Sequence, residues 1–205
     1  MVDNLFCFVY NIKQTKHILR RFCMNRLKFS VRELCFIGIF TTLIAVVSQL
    51  SVPMPYGVPM TLQTFVIPFA GVVLGAKNGT VSTLIYVVLG AIGVPVFAGY
   101  MGGPGTLFGM TGGFILSFPL MALAAGVGEG KNNAIWWLVS GLVAGALLNY
   151  ICGMLWFSFV MSVDLKAAFA ACVLPFIPTS IIKIVLVAVL GRQIKRALAG
   201  SKLLN

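Results

Sequence analysis

The stretch "AIWWLVSGLVAGALLNYICGMLWFSFV", residues 134–160, contains no charged side chain. It is longer than the ~20 apolar residues that an α-helix needs to cross a bilayer, so a tilt or a protruding end is expected. Backbone in hydrocarbon must satisfy its own hydrogen bonds, and a long continuous apolar run favours a helix over the alternating strands of a barrel. This stretch predicts an all-α integral membrane protein.

The composition of the whole chain agrees with that class. Of the 205 residues, 60% are hydrophobic and 9% are charged, and the mean hydropathy is +1.02. Such a chain is too apolar for a soluble domain. The net charge of +11 comes from basic residues in short segments that flank the apolar runs. That distribution is typical of a protein oriented in the lipid bilayer and argues against a nucleic-acid partner.

Six apolar runs predict six transmembrane helices, at about residues 33–50, 61–76, 79–93, 113–127, 134–160 and 174–199. An even number of spans places both termini on one side of the membrane. All Lys and Arg residues except Lys166 and Lys183 fall on that side. Because cytoplasmic segments carry the excess of basic residues, we expect both termini to be cytoplasmic.

Residues 1–30 are predicted to be a basic amphipathic extension that lies on the anionic cytoplasmic leaflet. Its charges follow its apolar patch, which is the wrong order for a signal peptide. An alternative is that translation begins at Met24, in which case the part before Met24 is not native. Residues 31–205 are predicted to form the six-helix membrane domain.

Two predicted outward loops, residues 51–60 and 94–112, are uncharged and rich in proline and glycine. Flexible solvent linkers are rich in serine and polar groups instead. Irregular apolar backbone suits a segment folded against a ligand cavity at membrane depth. We therefore expect a lid over a pocket that opens to the exterior.

The residue inventory argues against an enzyme. Of the four carboxylates, three are expected at or near the cytoplasmic side and one outside, and the single histidine lies in the N-terminal segment, so no acid-base pair is expected to assemble within the membrane. The sequence has no G-x-x-x-x-G-K-[ST] phosphate loop, so ATP-driven work would fall to another subunit. The five cysteines form no C-x-x-C pair and are interpreted as packing residues. No cofactor and no metal are expected.

Lys183, within the sixth span, is the main candidate for ligand binding. An ammonium at this depth costs several kcal/mol, which favours a counter-ion to an anionic or strongly polar ligand. The alternative is that Lys183 snorkels or bonds to backbone carbonyls. Ser180 lies one turn earlier on the same face, although a serine in a span often bonds its own helix. The Asn149 side chain is interpreted either as making a hydrogen bond between helices or as contacting the ligand.

Small residues at Gly38, Thr41, Thr42 and Ala45 form small-xxx-small pairs on adjacent faces of the first span. Such faces let a second helix approach closely. Packing inside this chain and docking onto a partner membrane protein are equally compatible with the spacing.

Four blocks carry a family resemblance: "VPMTLQTFV" (58–66), "LIYVVLGAIGVPVFAG" (84–99), "GGPGTLFGMTGGFILSFPL" (102–120) and "PFIPTSIIK" (175–183). In order and spacing they resemble the BioY family, the biotin-binding S components of energy-coupling-factor (ECF) transporters. The resemblance covers about residues 31–200. It implies an S-component fold that binds biotin from the extracellular side and delivers it inward. It also implies two kinds of partner, a transmembrane coupling protein and two ATPase subunits.

The resemblance also implies site residues. Biotin would present a carboxylate to Lys183, a ureido ring to hydroxyl and amide groups, and an apolar ring to aromatic side chains. The candidate biotin-binding residues are Lys183, Ser180, Asn149, Gln63, Tyr86, Phe97, Thr111 and Gly112. The candidate docking residues are Gly38, Thr42 and Ala45 of the first span.

Two positions depart from the family pattern. The last motif typically reads Pro-x-Asp-x-x-Lys, and Ser180 stands where the aspartate is expected. A hydroxyl accepts hydrogen bonds more weakly than a carboxylate, which predicts reduced affinity or an altered ligand. Met110 replaces the proline of Gly-Pro-Thr-Gly-Gly and is interpreted as local variation. The alternatives are an S component for another vitamin or a biotin precursor, and a membrane assembly protein without transport activity.

Overall fold

The computed structural model describes residues 29–54, 58–130 and 134–200. The chain divides into two units, Met1–Arg32 and Glu33–Asn205, and the account below concerns the second. The predicted amphipathic extension, up to residue 28, lies outside the described residues.

The described chain is almost entirely helical. Helix α1 (Val31–Ser48) is followed by β1 (Ser51–Val52), which pairs antiparallel with β2 (Met60–Thr61). The remaining elements are α2 (Gln63–Ala91), a 3-10 turn (Ala98–Tyr100), α3 (Pro104–Phe108), α4 (Gly112–Gly130), α5 (Ile135–Met161), α6 (Leu165–Cys172), a second 3-10 turn (Leu174–Phe176) and α7 (Ile177–Gly200).

Helix α2 folds back on itself. Gly75 has φ 80° and ψ 170°, a backbone conformation that glycine adopts without steric cost. The amide Nε2 of Gln63 lies 2.6 Å from the hydroxyl of Tyr86, whereas a straight helix would separate these residues by ~34 Å. Helix α2 is therefore a hairpin, with a first leg at residues 63–74 and a second leg at 76–91. These legs correspond to the second and third predicted spans.

The predicted position of this turn was wrong. The predicted spans at 61–76 and 79–93 leave Lys77 and Asn78 for the turn between them, but both residues are helical and lie in the second leg. Just beyond the break, a Cβ atom on Gly79 would lie 2.6 Å from the Cα of Gly71. The two legs therefore approach each other as closely as their glycines allow.

Five helical segments in the described residues are long and apolar enough to cross a membrane. One of them is the α2 hairpin, and another runs from α6 into α7. The all-α class is confirmed, while the count of six spans and the cytoplasmic termini stay predictions. The predicted spans at 134–160 and 174–199 leave residues 161–173 as a connecting loop, and this was wrong in one respect, because most of that segment forms the alanine-rich helix α6.

The core lies where α4 packs between the α2 hairpin and α5. It contains side chains that are almost wholly buried, including Ile67, Val72, Phe118 and Leu138. Large apolar side chains on α1, α5 and α7 are exposed, as expected for a surface that faces lipid. Near the end of α4, the buried carboxylate of Glu129 accepts from Arg192 Nε at 3.0 Å and lies 3.5 Å from Lys195 Nζ. This ion cluster joins α4 to α7.

Candidate functional site

A cavity of about 430 Å³ lies between the two predicted lid loops and the helix ends beneath them. Its volume falls in the ~300–1,000 Å³ range of small-molecule sites. The lining is mainly apolar and aromatic, and includes Val58, Phe97, Met101, Met110, Phe114, Ile115, Phe118, Cys172 and Phe176. Within the described residues, both glycine- and proline-rich loops contribute to this wall.

Gln63, the first residue of α2, brings an amide group to the cavity. Its Oε1 accepts from Thr61 Oγ1 at 2.9 Å, and its Nε2 donates to the Tyr86 hydroxyl at 2.6 Å. The Tyr86 hydroxyl also lies 2.9 Å from Ser48 Oγ on α1. These contacts fix the orientation of the Gln63 amide. Among the described residues, its second N–H has no partner and is available to a ligand.

Asn149 brings the complementary group from α5. Its Nδ2 donates to Phe114 O at 3.0 Å and to Ser117 Oγ at 2.8 Å. Its Oδ1 is buried and has no donor within the part of the chain that the structure describes. A buried acceptor without a partner costs about 1–3 kcal/mol. Since Asn149 lines the cavity, a ligand N–H that reached Oδ1 would recover that cost.

Lys183 and Ser180 lie beneath the cavity rather than in its wall. Both line a small neighbouring void, and Thr64, Asn149 and Tyr150 line the void and the cavity alike. Lys183 Nζ donates to Thr61 O at 2.7 Å and to Thr64 Oγ1 at 2.9 Å. The structure thus shows the bonding to a backbone carbonyl that sequence analysis considered as the alternative.

Lys183 has no oppositely charged partner among the described residues. None of the ion pairs among residues 29–54, 58–130 and 134–200 includes Lys183. The Ser180 hydroxyl, one turn away, is hydrogen-bonded to the hydroxyl of Tyr150 and carries no charge. A cation held by neutral acceptors in a low-dielectric site still attracts an anion strongly.

The other predicted site residues divide into two groups. Phe97 and Thr111 line the cavity. Tyr86 and Gly112 do not line it; Tyr86 packs against Phe97, which does, and Gly112 forms the turn into α4. The Tyr86 ring meets the Phe97 ring edge-on, with centroids 5.6 Å apart. A Cβ on Gly112 would lie 1.7 Å from Leu107 O, so only glycine permits the close turn into α4.

Several residues that shape the site were not predicted from the sequence. Tyr150, Phe114, Cys172 and Phe176 line the cavity, and Trp156 Nε1 donates to Gly109 O at 2.9 Å, which fixes the loop before α4. Their helices are apolar on every side, so no amphipathic period marks an inward face. The available signals were the adjacency of Tyr150 to Asn149 and the position of Phe114 and Phe176 within two of the sequence blocks that carry the family resemblance. The described residues contain no cluster of His, Cys, Asp or Glu suited to a metal.

The small residues of α1 occupy two different faces. Thr41 is buried against the α2 hairpin, where its Oγ1 lies 3.1 Å from both the carbonyl and the hydroxyl oxygen of Ser82. Gly38 and Thr42 are exposed, and no described atom lies within 4 Å of a Cβ built on Gly38. Ala45 is half-buried and packs against the core. The predicted docking surface is therefore available at Gly38 and Thr42 but only in part at Ala45.

Comparison with known proteins identifies the family. A profile described as the BioY family matches residues 22–200. The probable biotin transporter BioY of Pyrococcus horikoshii is 39% identical over 164 residues, 80% of this chain and 96% of that protein. The biotin transporter BioY of Thermotoga maritima is also 39% identical, over 81% of this chain and 97% of that protein.

A solved structure agrees with these relatives. It is the crystal structure of the S-component for biotin from an ECF-type ABC transporter, with a TM-score of 0.73 and 28% identity. The match covers 81% of this chain and 92% of that one. The predicted S-component fold is confirmed, and the chain belongs to the BioY family.

Proposed function

We propose that this chain is the substrate-capture subunit of an ECF-type importer in the cell membrane, and that it binds biotin from the extracellular side. The observation that carries this proposal is the pairing of an unpartnered acceptor, Asn149 Oδ1, with an available donor, the second N–H of Gln63, in one apolar cavity. The names of the relatives and the solved S-component support the same ligand.

The ureido ring of biotin complements these two amides. It offers N–H donors, one of which would reach Asn149 Oδ1, and a carbonyl oxygen that would accept from Gln63 Nε2. Both amides are held in place by hydrogen bonds to the protein, so little side-chain entropy would be lost on binding. The apolar ring of biotin would lie against the aromatic side chains Phe97, Phe114 and Phe118.

The carboxylate of biotin is assigned to Lys183. This assignment requires Nζ to turn from Thr61 O and Thr64 Oγ1 toward the cavity, which the flexible four-carbon stem of lysine allows. Ser180 offers a hydroxyl rather than a carboxylate, and no described carboxylate pairs with Lys183, so the ligand itself would supply the negative charge. Biotin would then be cargo rather than cofactor.

The transport step is assigned to partner subunits. The exposed face at Gly38 and Thr42 would dock onto the transmembrane coupling protein, which would carry two ATPase subunits. This chain would bind and deliver biotin without an ATPase site of its own.

Equilibrium binding of radiolabelled biotin to the purified subunit tests the proposal. We expect saturable binding, competition by unlabelled biotin, and weaker competition by biotin methyl ester, which lacks the anion. Tighter binding of a precursor such as desthiobiotin would favour the alternative that the natural ligand is a biotin precursor, which the serine at position 180 in place of aspartate suggests. If neither compound bound at micromolar concentration, the transport proposal would fail and an assembly role would replace it.

A further inference from the structure

Part of the cavity wall is a short loop, residues 96–101, which we call the roof loop. Phe97 N donates to Met101 O at 2.9 Å and closes the loop, and Phe97 and Met101 both line the cavity. Tyr100 points away and is 74% exposed, yet its φ of 58° lies in the left-handed region that non-glycine residues avoid. An uncommon conformation of this kind persists only where neighbouring contacts enforce it.

Gln49, just after α1, supplies such contacts at both ends of the roof loop. Its Nε2 donates to Val96 O at 3.1 Å, and its Oε1 accepts from Tyr100 N at 2.8 Å. The remaining N–H donates to Ala45 O at 3.1 Å, which holds the amide against its own helix. Both N–H groups and the oxygen of the Gln49 amide are therefore hydrogen-bonded. Two of these bonds go to Val96 and Tyr100, which lie on either side of Phe97 in the chain.

The packing of the Phe97 side chain does not by itself hold the backbone of Tyr100 in place. Phe97 packs so closely on the second leg of α2 that a Cβ on Gly90 would lie 2.1 Å from its ring. That packing fixes one side chain but provides no acceptor for Tyr100 N. Gln49 Oε1 is that acceptor, and it stabilises the left-handed conformation at Tyr100.

We propose that Gln49 is a positioning residue that holds the roof loop closed over the ligand and thereby slows its release. The proposal rests on the binding of biotin to this cavity. Gln49 does not line the cavity, so it would act through Phe97 and Met101 rather than by touching the ligand. Its loss should speed dissociation while the number of binding sites stays the same.

The test compares two variants at one position. Gln49→Met keeps the approximate volume and removes all three hydrogen bonds, whereas Gln49→Glu keeps an acceptor for Tyr100 N and loses the donations to Val96 O and Ala45 O. Ser140→Ala is the matched control, because Ser140 Oγ makes one bond to a backbone carbonyl, Trp137 O, on the exposed part of α5. Dissociation of radiolabelled biotin is followed after a chase with unlabelled biotin.

We expect the dissociation rate to rise about tenfold in Gln49→Met, to rise less in Gln49→Glu and to stay unchanged in Ser140→Ala. Hydrogen exchange in the peptide that contains Tyr100 should rise in Gln49→Met and stay closer to wild type in Gln49→Glu. An unchanged dissociation rate in Gln49→Met, or unchanged exchange, overturns the proposal. If Gln49→Met did not fold, an unchanged rate in Gln49→Glu would overturn it. A wild-type protein that binds no biotin would instead refute the proposed function.

Discussion

Replacement of Asn149 by leucine tests the ligand assignment most directly. The change removes the buried Oδ1 that lacks a donor and also removes the two bonds that Nδ2 donates. The free protein loses little, since Ser117 Oγ retains its bond to Phe114 O at 2.9 Å. The bound state loses a hydrogen bond and leaves a ligand N–H buried without a partner.

The size of the effect follows from that unpaired N–H. A buried donor left without an acceptor costs about 1–3 kcal/mol, which weakens binding by roughly 5- to 150-fold. Equilibrium binding of radiolabelled biotin measures the change, and the melting temperature without ligand shows whether the variant remains folded. Ser140→Ala serves as the control and should bind as wild type does.

A biotin analogue methylated on a ureido nitrogen completes the cycle. The wild-type protein should bind the analogue that lacks the relevant N–H more weakly than biotin, while Asn149→Leu should distinguish the two ligands much less. A dissociation constant for biotin in Asn149→Leu within twofold of wild type would refute the assignment. The assignment would also be refuted if Asn149→Leu preferred biotin over both N-methyl analogues as strongly as the wild-type protein does.

Three further predictions concern other parts of the molecule. Lys183→Met should weaken binding of biotin but not of biotin methyl ester, because only biotin carries the anion; equal losses for both ligands would contradict the pairing. Glu129→Leu should destabilise the fold by about 3 kcal/mol, because it leaves the largely buried Arg192 without its carboxylate, and a melting temperature equal to wild type would contradict this. Gly38→Leu should abolish co-purification with the coupling protein and leave biotin binding by the isolated subunit unchanged; retained co-purification would place docking elsewhere.

The helices could be predicted from sequence because continuous apolar runs have few other solutions in a bilayer. The break in α2 was placed two residues late, at Lys77, because polar residues usually mark turns. The actual break needs only the positive φ of Gly75. Helix α6 was missed because it lies in a segment too short to span, where its alanines favour a helix without making a long apolar run.

Site residues could be predicted where a polar side chain interrupts an apolar run. Gln63 and Asn149 stand out for that reason, and both line the cavity. Lys183 and Ser180 also interrupt an apolar run and were selected for that reason. The pattern does not show how far a side chain lies from the cavity, and these two lie beneath it. Gln49 was overlooked because a polar residue at the end of a span is unremarkable until its contacts are known.

The hairpin in α2 has a consequence for the surrounding lipid. Its legs, residues 63–74 and 76–91, are only ~18 and ~24 Å long as helices, whereas the hydrocarbon core of a bilayer is ~30 Å thick. The first leg is almost wholly buried inside the protein, so the hairpin meets lipid mainly through exposed residues of the second leg, such as Leu84, Ile85 and Val88, and we expect the bilayer beside that leg to thin locally at a cost of fractions of a kcal/mol per Å. We expect this mismatch to make the energy of the subunit in the membrane depend on the thickness of the surrounding bilayer.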